Sequence, residues 1–133
     1  MKKALCLTLA IVMLLALASC KPTVDEGIWK DAIYTEDAVV GEGAKTCSVR
    51  IEAGEKSVTL TLKTDAATLG AALYENGLAG DPSFTDTING MVADWDADNA
   101  YWAFYISGEY AMYGIGDATI NGGEEFALVY TAE

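Results

Sequence analysis

The chain has 133 residues, of which 20 are acidic and 8 basic, and its formal net charge is −12. No basic residue follows Lys63, so the surface repels phosphate backbones and we exclude nucleic acid as a partner. The sequence has no histidine, which removes the usual general base and most transition-metal sites, so we expect neither an enzyme nor a bound cofactor.

The amino terminus has the pattern of a secretory signal peptide over residues 1–19. Lys2 and Lys3 precede an apolar run, residues 4–18, that is too short to span a bilayer comfortably. The run ends in Leu17-Ala18-Ser19-Cys20, which resembles the bacterial lipobox, where the cysteine thiol accepts diacylglycerol. We therefore predict lipidation at Cys20 and an extracytoplasmic protein anchored to the cell membrane. The alternative is a plain signal peptide whose last residue happens to be cysteine.

Two further segments follow the signal peptide. Residues 20–27, which include "KPTVDEG", have the proline, glycine and charge content of a tether. Residues 28–133 have the length of a single domain. The first part of that domain has no clear period, but Trp29 and Tyr34 indicate that it packs on the rest.

Two amphipathic strands come next. Apolar and polar residues alternate over residues 47–52 and again over 58–63, and the turn "AGEK" joins the two runs. Cys47 occupies an inward-facing position on the first strand. Because Cys6 leaves with the signal peptide and Cys20 takes the lipid, Cys47 has no partner within the chain, and we interpret it as a small buried hydrophobe.

The stretch "TDAATLGAALYENGL" changes to a helical period. Thr64 or Asp65 can cap this short helix, and Gly77 is a natural C-terminal stop. A β-hairpin is predicted after it, over residues 84–95, because the dipeptide Asn89-Gly90 favours the positive φ angles of a two-residue turn.

Residues 101–113 hold six of the chain's aromatic side chains. On a strand over residues 101–107, Trp102, Phe104 and Ile106 share one face, which we assign to the core, and the odd positions share the other face. A turn at Gly108-Glu109 and a closing strand "EFALVYT" complete the order. Two strands, a helix and several more strands predict an α+β domain.

Four tyrosines form a candidate ligand-binding surface. Tyrosine combines a flat apolar ring with a hydroxyl at its tip, which suits recognition, and an exposed patch of such rings is uncommon unless it binds something. The alternative is that Met112 and its neighbour fold back over the sheet edge as a small satellite core. We name the four residues the tyrosine set: Tyr101, Tyr105, Tyr110 and Tyr113.

The acidic stretch "DWDADN" raises the question of calcium. Asp94, Asp96 and Asp98 alternate as carboxylate ligands of a hard cation can, but the glycine and the bidentate glutamate of an EF-hand loop are missing. We exclude an EF-hand, keep these three aspartates as a weak calcium candidate, and favour a hydrated acidic exit from the hairpin.

The runs "TLGAALYENGL", "TINGMVADWD" and "AYWAFYISGEYAMYGIGDATINGGEEFALVYT" resemble the DUF4430 family, whose domain is similar to the C-terminal β-domain of transcobalamin and intrinsic factor. The resemblance covers roughly residues 45–133. Its most specific part is the spacing of Tyr101-Trp102, Phe104, Gly108, Gly114-Ile115, Asp117, Gly123, Phe126 and Tyr130.

The resemblance implies a β-grasp-like mixed sheet crossed by one packed helix, with no catalytic machinery. In the cobalamin carriers this domain closes over a corrinoid that a separate helical barrel also holds, and no such barrel is present in this sequence. The resulting hypothesis is a lipid-anchored extracytoplasmic binding module for a cobalamin-like or other small ligand. The alternative is a structural or adhesive surface domain that binds a protein partner through its tyrosines.

Overall fold

The computed structural model describes residues 27–83 and 86–133. The predicted signal peptide, the Cys20 lipidation site and residues 20–26 of the predicted tether lie outside the described residues. Within the described ranges, no helix is both long enough and apolar enough to cross a membrane.

A mixed β-sheet forms the body of the described chain. The strands are β1 (Ala38–Val40), β2 (Lys45–Ala53), β3 (Lys56–Thr64), β6 (Ala100–Ile106), β7 (Glu109–Tyr110) and β8 (Glu125–Ala132). Their order in the sheet is β1-β3-β2-β8-β6-β7, with β1 parallel to β3 and β2 parallel to β8, and the other neighbours antiparallel. The predicted α+β class with a mixed sheet is confirmed.

Two short α-helices and a β-hairpin accompany the sheet, together with 3₁₀ helices at Ile28–Asp31 and Ile115–Asp117. Helix α1 spans Leu69–Glu75, and a four-residue helical turn, α2, spans Trp95–Asp98. The predicted hairpin is present but short, with β4 (Thr87–Ile88) pairing with β5 (Met91–Val92). Asn89 and Gly90 form its turn with φ angles of +55° and +82°, as the dipeptide predicts.

One face of the sheet is the core face. The alternation predicted for β2 and β3 is observed, because Val49, Ile51 and Leu60 are fully buried. Leu69 and Leu73 of α1 belong to the same buried cluster. The helix therefore covers the core face, and the opposite face of the sheet, which we call the open face, carries the alternate residues.

The predicted helix cap is wrong by several residues. Thr68 caps α1, its hydroxyl accepting a hydrogen bond from the Ala71 N–H at 3.3 Å. Thr64 is buried at the end of β3, where its hydroxyl accepts from the Ala66 N–H and donates to Glu75. The Asp65 carboxylate accepts from the Ala44 N–H. Neither predicted cap therefore bonds to the first turn of α1, whereas the predicted stop at Gly77 is confirmed by its φ of +74°.

The segment before β1 packs on the domain, as its aromatic residues predict. Trp29 is buried and its indole N–H donates to the Ala53 carbonyl at 2.9 Å. The buried Asn89 side chain makes two hydrogen bonds of 2.9 Å with the backbone of Tyr34. A side chain at Gly90 would meet the Asp31 carbonyl, so this glycine is needed for the close approach as well as for the turn.

Cys47 lies buried on β2, as predicted, and is a free thiol within the described part of the chain. Burial, with a smaller contribution from the Glu124 carboxylate, raises the pKa of the Cys47 thiol from 9.0 to about 11. A thiol that resists ionisation in the folded state and ionises freely in the unfolded state makes stability fall as pH rises.

We therefore expect the free energy of unfolding to drop by about 2 kcal/mol between pH 9 and pH 11 because of this one group. Above pH 9 the unfolded chain loses the thiol proton that the folded chain keeps, so alkali favours unfolding. Urea unfolding across this pH range, compared between the wild type and Cys47→Ala, measures the effect. Other alkaline groups titrate in both proteins, so an identical pH slope in the variant would contradict the assignment.

Candidate functional site

The site candidate lies on the open face of β6 and its neighbours. Trp102 and Phe104 are buried on the core face, as their parity predicts, so Tyr101 and Tyr105 lie on the open face. Tyr105 pairs in register with Tyr110 on β7, which places both rings on that same face. Their centroids are 5.6 Å apart with ring planes at 80°, a favourable edge-to-face contact.

The pKa of the Tyr101 hydroxyl is affected by these two tyrosines. Desolvation raises the pKa of the Tyr101 hydroxyl, and Tyr110, Glu133 and Tyr105 raise it further by charge repulsion. Tyr101, Tyr105 and Tyr110 therefore lie on the same face of the sheet, and the raised pKa of Tyr101 keeps its hydroxyl protonated at neutral pH.

Tyr113, the fourth member of the tyrosine set, does not contact the other three rings. Tyr113 is half exposed and makes no ring contact within the described residues. Met112 is 91% exposed, so the predicted alternative of a folded-back satellite core is wrong for this residue. The predicted turn also moves by one residue: Ser107 and Gly108 carry the positive φ angles, and Glu109 already belongs to β7.

Little open space remains between Tyr101 and Tyr105 on β6. Ala103 occupies the open face between them, yet only 2% of its surface is exposed. Its methyl group lies between two large rings and opposite Val129 of β8, so it forms a floor at the level of the sheet. The tyrosines therefore make a shallow aromatic surface with a closed base.

A cleft adjoins this surface at the amino-terminal end of β6. It has a volume of about 570 Å³, within the size range of small-ligand sites. Its apolar walls come from Val92, Trp95 and Tyr101, and buried Trp102 contributes to its base. The rings of Trp95 and Tyr101 are 6.2 Å apart with planes at 65°, so they form an aromatic corner.

Three acidic residues also line the cleft, and two of them belong to the weak calcium candidate. Asp94 and Asp96 line it together with Asp86, whereas Asp98 does not. Asp94 caps α2, its carboxylate accepting a hydrogen bond from the Ala97 N–H at 3.0 Å. Across residues 27–83 and 86–133, no three Asp, Glu, His or Cys side chains are grouped so as to hold a metal ion.

Sequence reasoning missed Trp95. The acidic pattern around it drew the interpretation toward calcium, although an exposed tryptophan between two aspartates is itself unusual. Its side chain is 54% exposed, which marks it as a surface aromatic and not a core residue. Trp95 lines the cleft because its ring contacts that of Tyr101, and this contact forms only when α2 packs against β6.

No protein-family model and no curated protein matches this chain. Among solved structures, it is similar to a candidate metal-binding protein from Ruminococcus gnavus ATCC 29149, with 23% identity and a TM-score of 0.61. That match covers 68% of this chain and 99% of the other.

A second similar structure is haptocorrin in complex with Cbi, with 16% identity and a TM-score of 0.50. The match covers 66% of this chain and 25% of the haptocorrin chain, so this chain corresponds to about a quarter of that protein. At such identities the likeness extends to the fold alone. The fold is consistent with the transcobalamin-like resemblance, and membership in DUF4430 stays a prediction.

Proposed function

We propose that this chain is a lipid-anchored, extracytoplasmic binding module without catalytic activity, which captures a flat small ligand on Tyr101, Tyr105 and Tyr110. A cobalamin-like macrocycle is the ligand we test first. The two similar structures support a ligand-binding role, since one is described as a candidate metal-binding protein and the other holds Cbi. Anchoring through Cys20 would place the module at the cell membrane, outside the cytoplasm.

The observation that carries this proposal is the row of partly exposed tyrosines on the open face. The Cα atoms of Tyr101 and Tyr105 are separated by about 13 Å along a strand, a span that suits a large flat ligand better than an ion. Ala103 keeps the base between them level, and Tyr110 is 58% exposed beside Tyr105. Hydroxyls at the ring tips can bond polar groups at the edge of such a ligand.

We expect weak binding from the isolated module. The surface is shallow, so it encloses only one side of a macrocycle and leaves much of the ligand in water. Little of the ligand's surface is buried, yet binding still costs the ligand its translational and rotational freedom. The dissociation constant should therefore be about micromolar or higher unless a partner protein completes the site.

Calorimetric titration of the full chain with corrinoids, in a nonionic detergent, tests the proposal. Tyr101→Ala and Tyr105→Ala should each weaken binding by about tenfold or more, because each removes a ring from the contact surface. Tyr74→Ala is the control, since Tyr74 is an exposed tyrosine that lies on α1 and not on the open face. Binding that survives both open-face substitutions, or is lost equally in the control, would contradict the proposed site.

A protein partner is the second candidate, favoured by the shallowness of the surface. Flat faces with exposed aromatic rings suit protein interfaces more than enclosed small-molecule sites. Absence of heat with any corrinoid, combined with capture of a surface protein that depends on Tyr105 and not on Tyr74, would favour this structural or adhesive role.

A further inference from the structure

The cleft beside α2 has a different chemistry from the tyrosine surface. Its walls are aromatic and aliphatic, and its charged groups are carboxylates: Asp86, Asp94 and Asp96. No Lys or Arg lines it within the described part of the chain. The nearest basic residue before it in the sequence is Lys63, and none follows.

We propose that this cleft binds a small organic cation, specifically a quaternary ammonium group carried on a short alkyl chain. The proposal is independent of the corrinoid proposal, although Tyr101 borders both surfaces. A methylated ammonium is attracted to the faces of aromatic rings and, because it is weakly hydrated, loses little on leaving water.

The aromatic corner supplies the recognition element. Trp95 and Tyr101 meet at 65° with centroids 6.2 Å apart, so a rounded cation in the cleft can contact two differently oriented ring surfaces. Tryptophan is the best cation–π partner among the side chains. Val92, 55% exposed, offers an alkyl surface for the methyl groups of the ligand.

The carboxylates make the cleft negatively charged, which favours a cation as its ligand. The side-chain carboxylates of Asp86 and Asp96 are exposed and make no hydrogen bond or ion pair within the described residues, so both can face a cation. An anion would meet only repulsion here. A metal ion is disfavoured as well, since the carboxylates do not converge and hard cations require several oxygen ligands at short range.

The test uses choline and its neutral isostere, 3,3-dimethylbutan-1-ol, in which carbon replaces the charged nitrogen. Tryptophan fluorescence and calorimetry on the full chain in nonionic detergent should give saturable choline binding at about millimolar concentration. The isostere should bind about fivefold more weakly, because it fills the cleft without the cation–π attraction. Equal binding of both probes would overturn the proposal, and so would the absence of saturable choline binding.

Substitutions distinguish the contribution of the aromatic ring to choline binding from that of the carboxylate charge. Trp95→Ala should weaken choline binding by about fivefold, and Trp95→Phe should recover part of the loss because a ring face is restored. Asp96→Asn should weaken binding at low salt, whereas Asp98→Asn makes the same change in net charge outside the cleft and should weaken it less. Equal effects of the two aspartate substitutions would show general charge attraction and overturn the site assignment.

The experiments can refute either proposal without refuting the other. The corrinoid titration depends on Tyr105, which does not border the cleft, and the choline titration depends on Trp95 and Asp96. Loss of one binding reaction therefore leaves the other to be judged on its own variants.

Discussion

Replacement of Cys20 by alanine is expected to abolish acylation of this protein and to release it from the membrane fraction. The predicted modification attaches diacylglycerol to the Cys20 thiol, and two acyl chains are sufficient for stable anchoring where one is marginal. Alanine offers no thiol, so the effect should be all-or-none. Metabolic labelling with a fatty-acid analogue in a bacterial host, followed by membrane fractionation, measures both consequences.

Cys6→Ala is the matched control for this experiment. It removes a thiol from the same amino-terminal segment but leaves Leu17-Ala18-Ser19-Cys20 intact, so labelling should equal that of the wild type. Unaltered labelling in Cys20→Ala would refute the lipobox interpretation. A protein that is secreted without label in both variants would point to the plain signal peptide.

Trp102→Ala is expected to reduce the free energy of unfolding by about 3 to 5 kcal/mol, the usual cost of removing a large buried aromatic side chain. Trp102 is 3% exposed and packs edge-to-face with Tyr130 at 5.6 Å. Its indole N–H also donates to the Met91 carbonyl at 3.3 Å, which ties β6 to the hairpin. The substitution therefore leaves a cavity at a junction between two elements.

Urea unfolding of Trp102→Ala and Trp95→Ala provides a matched comparison of two tryptophans. Trp95 is 54% exposed, so its removal loses chiefly the ring contact with Tyr101 and should cost about 1 kcal/mol. Similar stability losses in the two variants would contradict the assignment of Trp102 to the core face.

The sequence alone predicts those parts of the fold that local physics specifies. The alternation on β2 and β3 determines which residues face the core, because a shift of one position would expose every buried side chain. The Asn89-Gly90 turn is likewise local, since two positive φ angles are required at adjacent residues. Parity also separates Trp102 from Tyr101 before any contact is known.

The helix cap shows where local reasoning stops. Thr64, Asp65 and Thr68 are all acceptable capping residues by type. The tertiary structure selects Thr68 because the Thr64 hydroxyl bonds to Ala66 and Glu75, and the Asp65 carboxylate bonds to the loop before β2.

Long-range contacts decide the rest. The hydrogen bonds between Asn89 and Tyr34 join residues 55 positions apart, and the parallel pairing of β2 with β8 joins an early strand to the last one. No local pattern encodes such pairings, because their free energy comes from burial that exists only after the chain has closed on itself. The corner of Trp95 and Tyr101 arises in the same way, when α2 folds against β6 and turns an acidic stretch into one wall of a cleft.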